Sequence, residues 1–281
     1  MTSTTERLPE LRERARERVP YAEVGFDALE RQVRTGGGLL AGGLAYRLFL
    51  WLVPLGLVGA TIIGFWIDSN EASLEDAAEE FGIGAAAVAS ADEAVAASER
   101  NRVLLLLLGL WLVAWFSLGV VRALRTAFAL AWGVERPRMH RPVTAVLLFN
   151  GLFLAAAFGL VGLAWLRAAL GVEGVVGILA NLALATAVVL SAMWLLPRRT
   201  ERWQDLLPGA VMVALGSQLM NLAVVFYFAP RLGYSSEVYG ALGTAAVLLV
   251  WLYLLSALMI AGGFLNATLW DRRQASVEPP S

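Results

Sequence analysis

The 281 residues include no cysteine and no lysine, and there is a single histidine. Without thiols the chain can make no disulfide, no thiolate nucleophile and no cysteine-ligated metal site. His140 stands alone in a basic turn between Met139 and Arg141. Also missing are an HExxH pair, a glycine-rich phosphate loop and paired aspartates inside the apolar runs, so enzymatic chemistry finds no footing. We expect a non-enzyme with no cofactor and no metal. Charge is scarce too: 16% of residues are charged and 58% hydrophobic, where a soluble domain holds about a quarter charged. The net charge of −1 points to no nucleic-acid partner. Before about Pro20 the chain interleaves Arg7, Arg12, Arg14, Arg16 and Arg18 with glutamates. With no apolar core segment, this stretch reads as a polar arm and not as a secretory signal.

What is present is a set of long apolar runs. Six reach the length of about 20 residues that a bilayer core requires: 38–66, 103–131, 143–166, 175–196, 207–229 and 240–269. The fold class expected is therefore all-α, a polytopic membrane protein with six transmembrane helices. Residues 1–20 form a cytoplasmic arm, 21–270 the membrane domain and 271–281 a cytoplasmic tail. Placing both termini inside puts seventeen arginines on the cytoplasmic face and four, Arg100, Arg102, Arg167 and Arg231, outside. The positive-inside rule favours that orientation. The outer connection 68–101 is acidic and reads either as one or two short capping helices or as a solvated loop. The turns around Glu173 and Arg231–Glu237 are short, so segments three and four, and five and six, should form tight hairpins.

Two cytoplasmic pieces look interfacial. Tyr21–Arg34 places Val24, Ala28 and Arg31 on one side, a modest amphipathic pattern. Arg122, Arg125, Arg136, Arg138 and Arg141, with Phe128 and Trp132, make a basic, aromatic collar. It reads either as topology-setting charge or as a site for anionic lipids. The bilayer itself is the one certain partner; a small-molecule or lipid substrate and a homo-oligomer are both compatible with the sequence.

Inside the spans there is no carboxylate. The polar residues there include Arg47, Asn150, Asn181, Gln218, Asn221, Tyr253 and Asn266. Gln218 and Asn221 share a helix face and read either as a polar path or as packing glue. Arg47 lies about 13 Å along its helix from Gly38, with Gly43, Trp51 and Pro54 on the same face. A charge at that depth is costly unless it snorkels, pairs or meets water. It is either a structural residue or one that contacts an anionic or lipid-like substrate. Pro54 should kink its helix, and the small residues Gly38, Gly42 and Gly43, with Gly240, Gly243, Gly262 and Gly263, mark expected close helix packing.

From Leu44 to Pro54 the sequence reads LAYRLFLWLVP, which resembles the first-helix motif of the YihY/BrkB family of bacterial inner-membrane proteins. Pro208-Gly209-Ala210, Tyr234 to Gly240, Leu249 to Tyr253, and Gly262 with Asn266 extend the resemblance over residues 25–270. It implies six helices with cytoplasmic ends in the plasma (inner) membrane. Members have been labelled ribonuclease BN, virulence factor and transporter, and the resemblance brings Tyr46, Tyr239 and Asn266 into the candidate site beside Arg47, Gln218 and Asn221. Two departures stand out. Arg47 replaces the family's second tyrosine, and Phe264 stands where the family often has glutamate. The reading expected is a membrane transporter or lipid-handling permease, with a non-transporting scaffold as the competing class.

Overall fold

The computed structural model describes residues 20–70, 102–135, 141–170, 174–223 and 229–277. Among them all regular structure is helical: α1 (Pro20–Arg34), α2 (Gly37–Asn70), α3 (Arg102–Trp132), α4 (Pro142–Leu170), α5 (Val175–Trp194), α6 (Leu207–Ala223) and α7 (Ala229–Val277). A 3-10 turn, Trp203–Leu206, leads into α6. Five stretches are long and apolar enough to cross a membrane: Gly37–Ile62, Val103–Trp132, Pro142–Leu170, Val175–Trp194 and Ala245–Ala275. The expected span 207–229 appears as α6, 17 residues long, with 224–228 outside the described residues. The outer loop 71–101 and the turn at Glu173 also lie outside them.

The last helix corrects one expectation. α7 begins at Ala229, so Arg231–Glu237 is helical and not a turn. Pro230 sits in the first helical turn, where its missing N–H is harmless. Gly233 and the serines that follow lower helix propensity by about 1 kcal/mol or less each without breaking the helix.

The described residues fall into two compact units, one formed by 47–120 and one by residues up to 46 together with 121 onward. In the smaller unit α2 meets α3 where Val58 faces Gly109, and Trp51, Val58, Val113 and Val120 are buried. Gly109 permits the contact, because a Cβ there would lie 2.7 Å from Val58 Cγ2. Pro54 lies inside α2, within a helix unbroken on either side.

In the larger unit α6 lies between α5 and α7, around a core of Met193, Leu206, Ala210, Val213, Ile260 and Phe264. Its tightest crossing is glycine on glycine: a Cβ on Gly262 would sit 3.0 Å from the Gly209 carbonyl oxygen and 2.7 Å from Val213 Cγ2. Small residues at a helix crossing let the backbones approach in this way. By contrast, a Cβ on Gly42 or Gly43 would meet nothing within 4 Å, and Gly38 has only an ordinary contact with the Tyr253 hydroxyl at 3.7 Å. The close packing expected at Gly38–Gly43 is therefore not found, while that expected at Gly262 is, against Gly209.

α3 ends on Gly133, whose φ of 59° is the left-handed conformation of a helix C-terminus. Val134 N–H returns to the Ala129 carbonyl at 2.9 Å. α1 packs along α7, burying Val24 and Ala28. The side carrying Val24 and Ala28 thus faces protein, while Leu29 and Val33 stay exposed. Reciprocal ion pairs hold the two helices: Arg31 to Asp271 at 2.6 Å and Arg272 to Asp27.

Candidate functional site

Arg47 is carried by α2 in the smaller unit, exposed, and its Nη1 donates to the Gly119 carbonyl at 2.7 Å. A Cβ at position 119 would lie 3.7 Å from that nitrogen, an ordinary contact. One of five guanidinium donors is engaged, and no carboxylate pairs with the group among the described residues. Trp51 and Pro54, expected on the face of Arg47, are buried, whereas Arg47 and Gly43 are exposed.

The larger unit holds the remaining candidates, and they separate by burial. Asn266 is fully buried. Its Oδ1 accepts from Gly209 N–H at 2.7 Å, its Nδ2 donates to the Leu206 carbonyl at 3.0 Å, and the Met193 sulfur lies at 3.5 Å. Gly209 is the third residue of α6, so Asn266 caps one of the four N–H groups that a helix start leaves open. The chemistry is that of a staple between helices. Asn221 is exposed and Gln218 half-buried, and Tyr46 is 58% exposed. Phe264, at the position where the resemblance led us to look for a glutamate, is fully buried and brings no charge. The side chain of Tyr239 and the surroundings of Gly240 lie outside the described residues, as do Arg136 and Arg138.

The collar resolves into distinct parts. Arg122 is exposed on α3. Arg125 and Arg141 instead line a cavity of about 380 Å³ between the ends of α3, α4 and α5, with Thr144, Leu148, Phe149, Leu152, Leu195 and Leu196 among its walls. No acidic residue lines it. Arg125 Nε is shielded from solvent and has no hydrogen-bond partner. Beyond the rim, Arg198 lies 3.8 Å over the Trp194 ring and donates to the Trp194 carbonyl. It closes the end of α5, where a cation is favoured. Desolvation lowers its pKa from the ordinary arginine value, against the raising effect of Glu201.

The cavity's apolar walls escaped the sequence reading. One signal was available: Arg125 and Arg141 flank the α3–α4 connection at one level, and Thr144 follows Arg141 by about one helical turn. Among the described residues no cluster of histidine, aspartate and glutamate is placed to hold a metal ion.

Comparison with known proteins gives the family. The model for the virulence factor BrkB family matches residues 28–281. A UPF0761 membrane protein of Nitrosospira multiformis is 26% identical over 258 residues, 85% of this chain and 59% of its own length. A UPF0761 membrane protein of Laribacter hongkongensis is 31% identical over 173 residues, 57% of this chain and 40% of that protein. The ribonuclease-like protein YfkH of Bacillus subtilis is 33% identical over 98 residues, 34% of this chain and 35% of its own length. The matches thus span under two thirds of these relatives. No solved structure matches the chain.

Proposed function

Since the chain belongs to the virulence factor BrkB family, we propose that it is a permease of the bacterial inner membrane, moving an anionic, lipid-like substrate. In this reading six helices span the membrane, α6 with its continuation being the fifth, and both termini lie in the cytoplasm. The arginine asymmetry supports that orientation. The chain acts by binding and moving its cargo, without covalent chemistry.

The observation that carries the reading is Arg47. It lies about 15 Å along α2 from Gly37, in a helix whose span has no carboxylate, with most of its guanidinium uncommitted. An arginine at that depth is expensive and is retained where it meets an anion or a water-filled path. A bare Coulomb site of this kind attracts phosphate or carboxylate headgroups and repels cations.

The competing reading is a scaffold. It draws on Asn266, whose bonds are spent within the protein, and on the Gly209–Gly262 crossing.

Transfer of fluorescent phosphatidylglycerol between leaflets of proteoliposomes discriminates the two. Arg47→Gln should abolish transfer at unchanged melting temperature. Arg47→Lys should retain part of it, because the charge survives while the planar fork is lost. Transfer unchanged in Arg47→Gln, with a lowered melting temperature, would establish Arg47 as structural and favour the scaffold.

A further inference from the structure

Arg125 and Arg141 line one cavity whose other walls, apart from Thr144, are apolar, and their charges are not neutralised by any described carboxylate. Two cations at the rim of a lipid-level pocket are poorly tolerated without a counter-ion. Arg122 lies about 29 Å along α3 from Val103 at 1.5 Å per residue. That is close to the full hydrocarbon thickness of about 30 Å, so this level of α3 meets the headgroups. Arg141 stands just before the first residue of α4, Pro142. From there the apolar wall runs through Leu148 to Leu152, about 16 Å along the helix, which is roughly the depth of one leaflet.

The volume, about 380 Å³, is near the lower end of ordinary ligand pockets, roughly 300–1,000 Å³. It suits one chain of a lipid better than a whole lipid. A guanidinium pair engages phosphate oxygens in the planar, two-point manner that ammonium groups cannot reproduce. A zwitterionic lipid would bring its own cation against both arginines, so net negative charge is selected.

We propose that this cavity binds one anionic phospholipid of the inner leaflet, its phosphate between Arg125 and Arg141 and one acyl chain along Leu148 and Leu152. The site goes beyond the permease reading and holds whether or not the chain moves lipid; the leaflet rests on the orientation given above.

The test is native mass spectrometry of the full chain in mild detergent, titrated with phosphatidylglycerol or phosphatidylcholine. One phosphatidylglycerol per chain should be retained, and phosphatidylcholine much less. Arg125→Gln and Arg141→Gln should each weaken retention about tenfold, from the loss of a charged hydrogen bond. Leu148→Trp, which fills the cavity and keeps both charges, should weaken it as well, and decides the matter if the arginine variants fold poorly. Arg122→Gln, outside the cavity, should leave it unchanged. Equal retention of both lipids, retention unaffected in both Arg125→Gln and Arg141→Gln, or an equal loss in Arg122→Gln would overturn the site in favour of a diffuse collar. Competition by glycerol phosphate at concentrations equal to those of the lipid would show that the chain contributes nothing, and overturns it too. Lipid transfer unchanged in Arg47→Gln, with retention still lost in Arg125→Gln, would sink the permease reading and leave this site standing, so the two proposals fail separately.

Discussion

Asn266→Ala removes two hydrogen bonds from a position that water does not reach. Asn266 is fully buried, and its amide joins the Gly209 N–H at 2.7 Å and the Leu206 carbonyl at 3.0 Å. An interhelical bond in a membrane protein contributes about 0.6 kcal/mol on average, and a buried donor left without its acceptor costs about 1–3 kcal/mol more. Gly209 N–H is such a donor, since no residue of α6 can supply a carbonyl to it from the preceding turn. The expected loss is therefore about 2–3 kcal/mol, read as the shift in reversible unfolding on titrating sodium dodecyl sulfate into mixed micelles. Asn221→Ala is the control: the side chain is exposed, and the change should stay within about 0.5 kcal/mol. Equal effects for the two asparagines, or an Asn266→Ala variant as stable as the parent, would refute the staple.

Gly262→Ala should cost about 1–3 kcal/mol by overpacking, because the new Cβ meets Val213 and the Gly209 carbonyl. Gly42→Ala, with open space around it, should leave the unfolding midpoint unchanged or slightly raised; a loss as large as that of Gly262→Ala would contradict the packing. Orientation is checked with single cysteines at Ala86 and Met139, in a chain that has none of its own. Ala86 should react with an impermeant maleimide on intact cells and Met139 only after lysis, and the reverse pattern would invert the topology.

Span positions were legible because a bilayer imposes a length on apolar runs. α3 and α4 begin and end within a few residues of the expected bounds. Polar residues were harder to sort. Arg47, Asn221 and Asn266 look alike in sequence, each a polar group in an apolar helix, and only the fold separates an exposed group from one bonded at both ends of its amide. Glycine misled in the same way. The pattern Gly38-xxx-Gly42 meets the small-residue rule, yet close approach depends on what lies opposite, and opposite Gly262 lies Gly209. The apolar walls of the cavity at Arg125 were invisible because they come from α3, α4 and the end of α5, and their leucines are indistinguishable in sequence from leucines that face lipid.

Charge placement joins the two proposals. The ion pairs described in the larger unit gather where α1, the 197–205 connection and the end of α7 meet: Arg31 and Arg199 on Asp271, Arg272 on Asp27, and Arg273 on Asp205. Exposed pairs of this kind contribute at most about 1 kcal/mol each, so their value lies in positioning α1 on α7. Arg47, Arg125 and Arg141 have no such acids. Arg47 lies within the apolar level, where an unneutralised charge costs most, and Arg125 and Arg141 line a largely apolar cavity at its headgroup edge. A protein that only needed positive charge to fix its orientation would be served by arginines on an exposed helix face, as at Arg122. Arginines set in an apolar span, or lining an apolar cavity, without carboxylates are accounted for if an anion is brought to them from outside the chain. A bilayer supplies such an anion in its phospholipid headgroups.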